Sequence, residues 1–235
     1  TVDLSKDTRG QTASLALVER KIDYVVKAVG EPGEKGVITA RAKVPPLTLF
    51  TPLEGQLVAT ESFVLAGQTL PGATLTIDGH PATVDPKGFF GVNVKASALG
   101  DRALEIVTSD DGFAARSTRV TVVRIPDANE SAKALEASAL SYRAYPAGAD
   151  TAGKTVVVDG TVVETRTEAH HTVMVISDKR DCAKRATCLA RVTAGTEEVW
   201  KLGEHAKAFG RVVGTSVREG VPIPDVQAVL MVHQK

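Results

Sequence analysis

Apolar and polar residues alternate with a period of two along most of this chain, the spacing of strands that bury one face. Ile22, Tyr24, Val26 and Ala28 alternate with Asp23, Val25 and Lys27. Glu31-Pro32-Gly33-Glu34-Lys35-Gly36 reads as a turn. Val37, Thr39, Arg41 and Lys43 then alternate with Ile38, Ala40, Ala42 and Val44. Helical spacing also links Leu15, Val18, Ile22, Val25 and Val26, but the alternation favours strands. So few strands cannot bury a core. Residues 1–46 are therefore expected to be ordered by something beyond themselves: upstream sequence, the next domain, or a second chain adding a strand.

After the Pro45-Pro46 break, residues 48–55 form a short lead-in to the clearest β pattern of the chain, residues 58–124. Leu75 and Ile77 alternate with Thr74, Thr76 and Asp78, and Phe90, Val92 and Val94 with Gly91, Asn93 and Lys95. Asp78-Gly79 and Asp110-Asp111-Gly112 are turn signals, because glycine takes a positive φ without strain. Short strands so spaced predict a β-sandwich. Gly67-Gln-Thr-Leu-Pro71-Gly72-Ala73-Thr-Leu-Thr-Ile-Asp78-Gly79, then Thr83-Val84-Asp85 and Gly88-x-Phe90, resembles the bacterial Ig-like modules related to domain B of glucodextranases. The run from Leu104 to Val122 resembles their last hairpin. The resemblance implies an Ig-like sandwich and a spacer or interaction role outside the cytoplasm. It implies no activity.

Pro126 ends the strand pattern. Asp127 and Glu130 have capping-box spacing, and residues 132–142 are rich in helix formers. Leu135, Ala139 and Tyr142 share a face, so a linker helix of about three turns is predicted there, stopped by Pro146-Ala-Gly148. From Lys154 the chain is β again. Five strands are expected: residues 155–164 with a bend at Gly160, 171–177, 188–193, 206–215 and 222–232. Residues 198–204 form a short connection. Five strands in this layout suggest an OB-like Greek-key barrel. Ala137-Ser138-Ala139-x-x-Tyr142, followed by Gly153-Lys154-x-Val156-x-Val158-x-Gly160-x-Val162, is similar to bacterial extracytoplasmic OB-fold modules, lipoproteins among them. The predicted class is mainly β, an Ig-like sandwich and an OB-like five-stranded barrel joined by a short helix. The expected domains are a partial Ig-like segment at 1–46, the sandwich at 47–125, linker helix and loop at 126–152, and the barrel at 153–235.

Composition changes this picture little. Formal net charge is zero, 28 basic against 28 acidic residues, so no global field draws in nucleic acid or anionic lipid. No apolar run approaches the roughly 18 residues of a membrane span. The chain begins at Thr1, as a processed product or a fragment would, and any membrane attachment is expected through an anchor outside it. Two cysteines, Cys182 and Cys188, lie close together. An isolated pair at this distance reads as a small disulfide loop in an oxidising compartment, contributing about 2 kcal/mol by the chain-entropy model.

Candidate chemistry is sparse. Gly148-Ala-Asp-Thr-Ala-Gly153-Lys154-Thr155 satisfies the phosphate-loop pattern. A working loop follows a strand and opens a helix; here a helix precedes and a β-branched run follows, so nucleotide binding is set aside. Lys179, Arg180, Lys184, Arg185 and Arg191 form the one basic cluster and a candidate interaction loop. Single-strand recognition also needs stacking platforms. Trp200 and Phe209 lie outside the cluster, and Asp178 and Asp181 dilute it, which argues against nucleic acid. His170 and His171 invite a metal reading, with Cys182 and Cys188 as further ligands. Adjacent strand residues point to opposite faces, and paired C-x2-C spacing is missing, so no metal or other cofactor is expected. His80 is placed on the surface. No Gly-x-Ser-x-Gly or His-Glu-x-x-His occurs, and no enzymatic role is expected. The reading that remains is an extracytoplasmic structural or interaction protein, a spacer or scaffold with protein partners in a cell-envelope assembly. A glycan- or peptide-binding module and a nucleic-acid-binding OB protein are the alternatives.

Overall fold

The computed structural model describes residues 10–27, 33–141, 155–168, 171–178, 188–195 and 198–233. The protein is mainly β. Four sheets account for the strands, and one short helix stands among the described residues. No helix is long and apolar enough to cross a membrane. The chain divides into two units.

The first unit comprises Thr1–Thr48, Gln68–Phe90 and Leu104–Arg119. Its first part is a two-stranded antiparallel ribbon, β1 (Ala16–Val26) and β2 (Glu34–Val44), in register from Ala16↔Val44 to Val26↔Glu34. The strand reading of this segment holds, and the helical spacing in it has no counterpart. The base of the ribbon is tied down. The Arg116 Nε donates to the Pro45 carbonyl at 2.7 Å, and the Thr12 and Leu47 backbones exchange hydrogen bonds. Arg116 is buried, which holds its pKa below the usual arginine value. β6 (Thr74–Ile77) and β7 (His80–Ala82) form a hairpin whose turn places Asp78 and Gly79 at φ of 49° and 78°. Positive φ at both central residues matches the twist of the strands. The Asp85 carboxylate accepts from the backbone of Lys87 and Phe89, closing the next turn. Leu75 and Ile77 are buried, as their alternation implies.

The second unit comprises Leu49–Gly67, Gly91–Ala103 and Val120–Lys235. Its main body is a barrel of five strands: β12 (Thr155–Glu168), β13 (His171–Ser177), β14 (Leu189–Ala194), β15 (His205–Arg218) and β16 (Val221–His233). Their order is β12-β13-β14-β16-β15, and β15 pairs back onto β12, closing the ring. β14 and β16 run parallel; the other neighbours are antiparallel. This is the OB-like five-stranded barrel expected. Val156, Val162, Met174, Ile176, Val192 and Trp200 fill it. Gly160 sits where β12 passes from β15 to β13, and a Cβ there would strike the Ser177 carbonyl. Close backbone approach at such a corner requires glycine.

The helix differs from its prediction. α1 runs Ala128–Glu136, capped by the Asp127 carboxylate accepting from the Glu130 amide at 2.8 Å. The cap is where the sequence places it, but the helix ends before residue 142. Leu140 and Ser141 instead form the short strand β11, parallel to β12. The Ser138 hydroxyl turns back to the Leu135 carbonyl, and ladder partners on Val156 and Val157 replace the helical hydrogen bonds. Pairing overrides the propensity of the alanine-rich run. α1 packs on the barrel through Ala132, Leu135, Phe209 and Leu230. Lys207, buried on β15, donates to the Glu136 carboxylate at 2.8 Å and lies 3.4 Å from Asp159. Burial depresses the Lys207 pKa, but Glu136 and Asp159 outweigh it and hold the pKa above the usual lysine value.

Candidate functional site: a groove on the barrel

Strand parity decides which side chains face out of the barrel. Met174 and Ile176 point into the core, so Val173 and Val175 point outward. Their register partners share that face: Arg166 opposite Val173, Glu164 opposite Val175, and Arg191 opposite Val175 on the other side. Asp225 lies opposite Arg191, and Ser216 opposite Ile223. Outward residues of a small barrel are ordinarily wet. Here Val175, Leu189 and Ile223 are buried in a second apolar cluster, with Val163 packed on it. Val163, Val175 and Ile223 form the floor of a groove of about 500 Å³ that crosses all five strands.

The groove is rimmed by arginines. Arg218 donates through both terminal nitrogens to Glu164. The Arg218 hydrogen bond pulls the Glu164 pKa below the usual glutamate range against the opposing effect of burial, and Arg166 adds to the pull. Arg218 is shifted up by the same contact. Arg191 Nη1 lies 3.7 Å from the Asp225 carboxylate, which also accepts from the Ser216 hydroxyl at 2.8 Å. A guanidinium carries five donors in a rigid fork. The pairing to Glu164 engages Nη1 and Nη2 of Arg218 and leaves its Nε–H, and the looser Arg191 contact leaves most of that fork without a hydrogen bond among the described residues. Among the described residues no aromatic ring lines the groove. It offers fixed cationic donors over an aliphatic floor, and no stacking surface.

Of the residues singled out from sequence, Arg191 belongs to this groove. Lys179, Arg180, Cys182, Lys184 and Arg185 lie outside the described residues, as do His170 and the phosphate-loop-like stretch up to Lys154. Thr155, the last residue of that stretch, opens a strand, where a phosphate loop would open a helix. Cys188 is buried and is not a free thiol. Trp200 is 1% exposed and stacks on His233 at 3.8 Å, so it is core and no platform. His171 opens β13 with its ring 5.7 Å from that of Phe50. Among the described residues no three His, Cys, Asp or Glu side chains gather as metal ligands would. His80 is exposed. Sequence reasoning missed Glu164, Arg166, Ser216, Arg218 and Asp225. Their one signal was charged or polar residues at alternate positions toward the ends of long strands.

A second cavity in the same unit, about 320 Å³, is lined by Thr51, Gln56, Phe63 and Met231 among others. Its polar side chains are already committed: the Thr51 hydroxyl and the Gln56 amide both donate to the Gly195 carbonyl at 2.7 Å. The groove is the better binding candidate.

No family model and no curated protein sequence matches the chain. Among solved structures, the chain is similar to a Bacteroides ovatus protein described as mixed-linkage glucan utilization locus SGBP-B in complex with a mixed-linkage heptasaccharide. Identity is 14% and the TM-score 0.25; the match covers 80% of this chain and 46% of that one, so this chain spans about half its length. A likeness of that order establishes neither fold nor ligand here.

Proposed function

We propose that this chain is a non-enzymatic, extracytoplasmic interaction module, and that its barrel groove docks an extended, acidic, aliphatic-rich segment of a protein partner in a larger assembly. The observation that carries this is the rim of Arg166, Arg191 and Arg218 over a floor of Val175 and Ile223. Arginine forks pair bidentately with carboxylates, and the aliphatic floor accepts the alternate side chains of an extended strand. Lys179, Arg180, Lys184 and Arg185 stand between β13 and β14 in the sequence, outside the described residues. Glycans and single-stranded nucleic acids, the other ligand classes, favour aromatic faces, and none lines the groove among the described residues.

Fluorescence anisotropy on the full chain tests this with four probes: a labelled decapeptide of alternating Glu and Leu, its Lys-Leu counterpart, a β-glucan oligosaccharide and oligo-dT. The acidic peptide is expected to bind in the micromolar range and weaken with salt. Arg191→Ala and Arg218→Ala should each weaken it about five- to tenfold. Binding of the oligosaccharide or oligo-dT with the acidic peptide silent would replace this reading by one of the alternatives.

The compartment rests on Cys182 and Cys188, which we take to be bonded to each other. Non-reducing mass spectrometry of natively purified protein should find their peptides joined. Two alkylatable thiols would remove the argument for an oxidising environment.

A further inference from the structure

The β1–β2 ribbon has two long edges, and they differ in chemistry. One face carries Ala16, Val18, Ile22, Tyr24 and Val26 with Ile38, Ala40 and Ala42 opposite, and Arg20 as its one central charge. It remains uncovered toward the tip, with Val26 61% and Ile38 55% exposed. The other face is mixed. On β2 it presents Lys35, Arg41 and Lys43 beside Val37 and Thr39; its charges are all basic, the guard that keeps an edge strand from pairing with another copy of itself. On β1 it presents Glu19, Lys21 and Asp23, of mixed sign, flanked by Leu17 and Val25. Glu19 is paired with Arg41 at 2.7 Å, while Lys21 and Asp23 have no ion-pair partner among the described residues. Nor, among the described residues, does any strand other than β2 pair with β1 there.

An edge that meets a second copy of itself antiparallel, about a twofold axis, must be centred on one of its own residues to keep the apolar face on one side. Most centres fail on charge. A centre at residue 19, 20, 21 or 23 sets Glu19, Arg20, Lys21 or Asp23 against itself. Centred at Ile22, the register is self-complementary. Lys21 faces Asp23 of the second copy, and Asp23 faces its Lys21. Val18 meets Val26 in both directions, Ile22 meets Ile22, and Arg20 lies beside the Tyr24 ring, an arrangement that favours a cation over an aromatic face. Directly opposed pairs are the unit of sheet stabilisation, and here the central pairs are apolar, opposite in charge or cation on ring, apart from Glu19 facing Val25, where Glu19 keeps its partner Arg41 within its own ribbon. We propose that two copies of this chain join through their β1 edges in this register, making a four-stranded β2-β1-β1-β2 sheet. The dimer carries two barrel grooves, which would bind a repetitive or clustered partner with greater avidity. The proposal stands independently of what the groove binds.

Sedimentation velocity across a concentration series, on the full chain, reads the association, with circular dichroism as a check on folding. The wild type should reach twice the monomer mass. Asp23→Lys and Lys21→Asp each turn both ion pairs into like-charge pairs and should raise the dimer dissociation constant about tenfold or more. The double exchange Lys21→Asp with Asp23→Lys restores opposite charges and should return it to within about threefold of wild type. Ile22→Cys should give a disulfide-linked dimer under mild oxidation, since residue 22 meets its own copy; Val37→Cys on the guarded strand should not. A wild type that stays monomeric overturns the proposal. So do single variants that dimerise like wild type, or a double exchange that fails to recover, because the interface then lies elsewhere or in another register.

Discussion

The barrel and the β1–β2 ribbon are written in the same alphabet of Val, Ile, Ala and Thr alternating with charge, yet they resolve their edges in opposite ways. In the barrel, β15 returns to β12 and each of the five strands has two neighbours. Closure removes every edge. In the ribbon, each strand pairs along its eleven rows with the other alone, and among the described residues both outer edges are open apart from the Lys43–Phe113 bridge at the base. Closure also makes an interior large enough to hide Trp200 and Met174. The ribbon is one layer thick and hides nothing so large. The lesson is that alternation specifies a strand but not what completes it. Completion came from within the chain in one region, and in the other it is left to charge on the edges.

Two glycines sharpen this contrast, and their substitution should show the largest difference between the regions. A Cβ on Gly160 would strike the Ser177 carbonyl oxygen, a backbone atom held in the β13 ladder. The barrel cannot yield there without parting β12 from its neighbours. Gly160→Ala should therefore cost about 2–3 kcal/mol in urea unfolding. A Cβ on Gly36 meets an equally close obstacle, but it is the far end of the Tyr24 ring across the ribbon. Tyr24 is 42% exposed and can swing toward solvent, while alanine suits a strand better than glycine. Gly36→Ala should stay within about 0.5 kcal/mol of wild type. Similar costs at the two positions would mean that the ribbon is held as tightly as the barrel, and the contrast would collapse.

What could be read from the sequence follows the same division between local and non-local causes. The Asp78-Gly79 turn, the Asp127 cap and the Gly160 bend are local backbone demands, and each occurs where the residues call for it. The barrel strands were legible because turns and β-branched runs bound them. β11 was not: Leu140 and Ser141 are a strand only because β12 lies alongside. The groove was not legible either. Glu164 and Arg218 are 54 positions apart and meet only once the barrel has closed. β13 reads His-Thr-Val-Met-Val-Ile-Ser and is buried nearly throughout, so no alternation betrays which face lines a site. Arg191 was selected for belonging to a basic run. Its place in the groove comes instead from its register opposite Val175 and Asp225.

The smallest expected effect concerns the ion pairs of the two regions, and it sharpens the comparison because both pairs lie near the surface. Glu19 and Arg41 make a single close contact across the ribbon, whereas Arg218 grips Glu164 with two nitrogens at the rim of the groove. The grip of Arg218 lowers the Glu164 pKa. Glu164 is held below its usual value of 4.5. A carboxyl that is more acidic folded than unfolded contributes stability above its unfolded pKa and loses it as pH falls through the folded value. The loss should therefore appear on the acid side, as pH falls below the usual glutamate value. Glu164 is 55% exposed and Arg218 28%, so solvent and salt screen the pair and the amount is at most about 0.5 kcal/mol. Glu164→Gln should flatten that part of the stability profile, and high salt should flatten it in the wild type. Acid loss that persists unchanged in Glu164→Gln would assign it to other carboxylates and leave the groove pair without a measurable grip. Loss that vanishes would show Arg218 held in place by Glu164, with its Nε–H available to an incoming carboxylate.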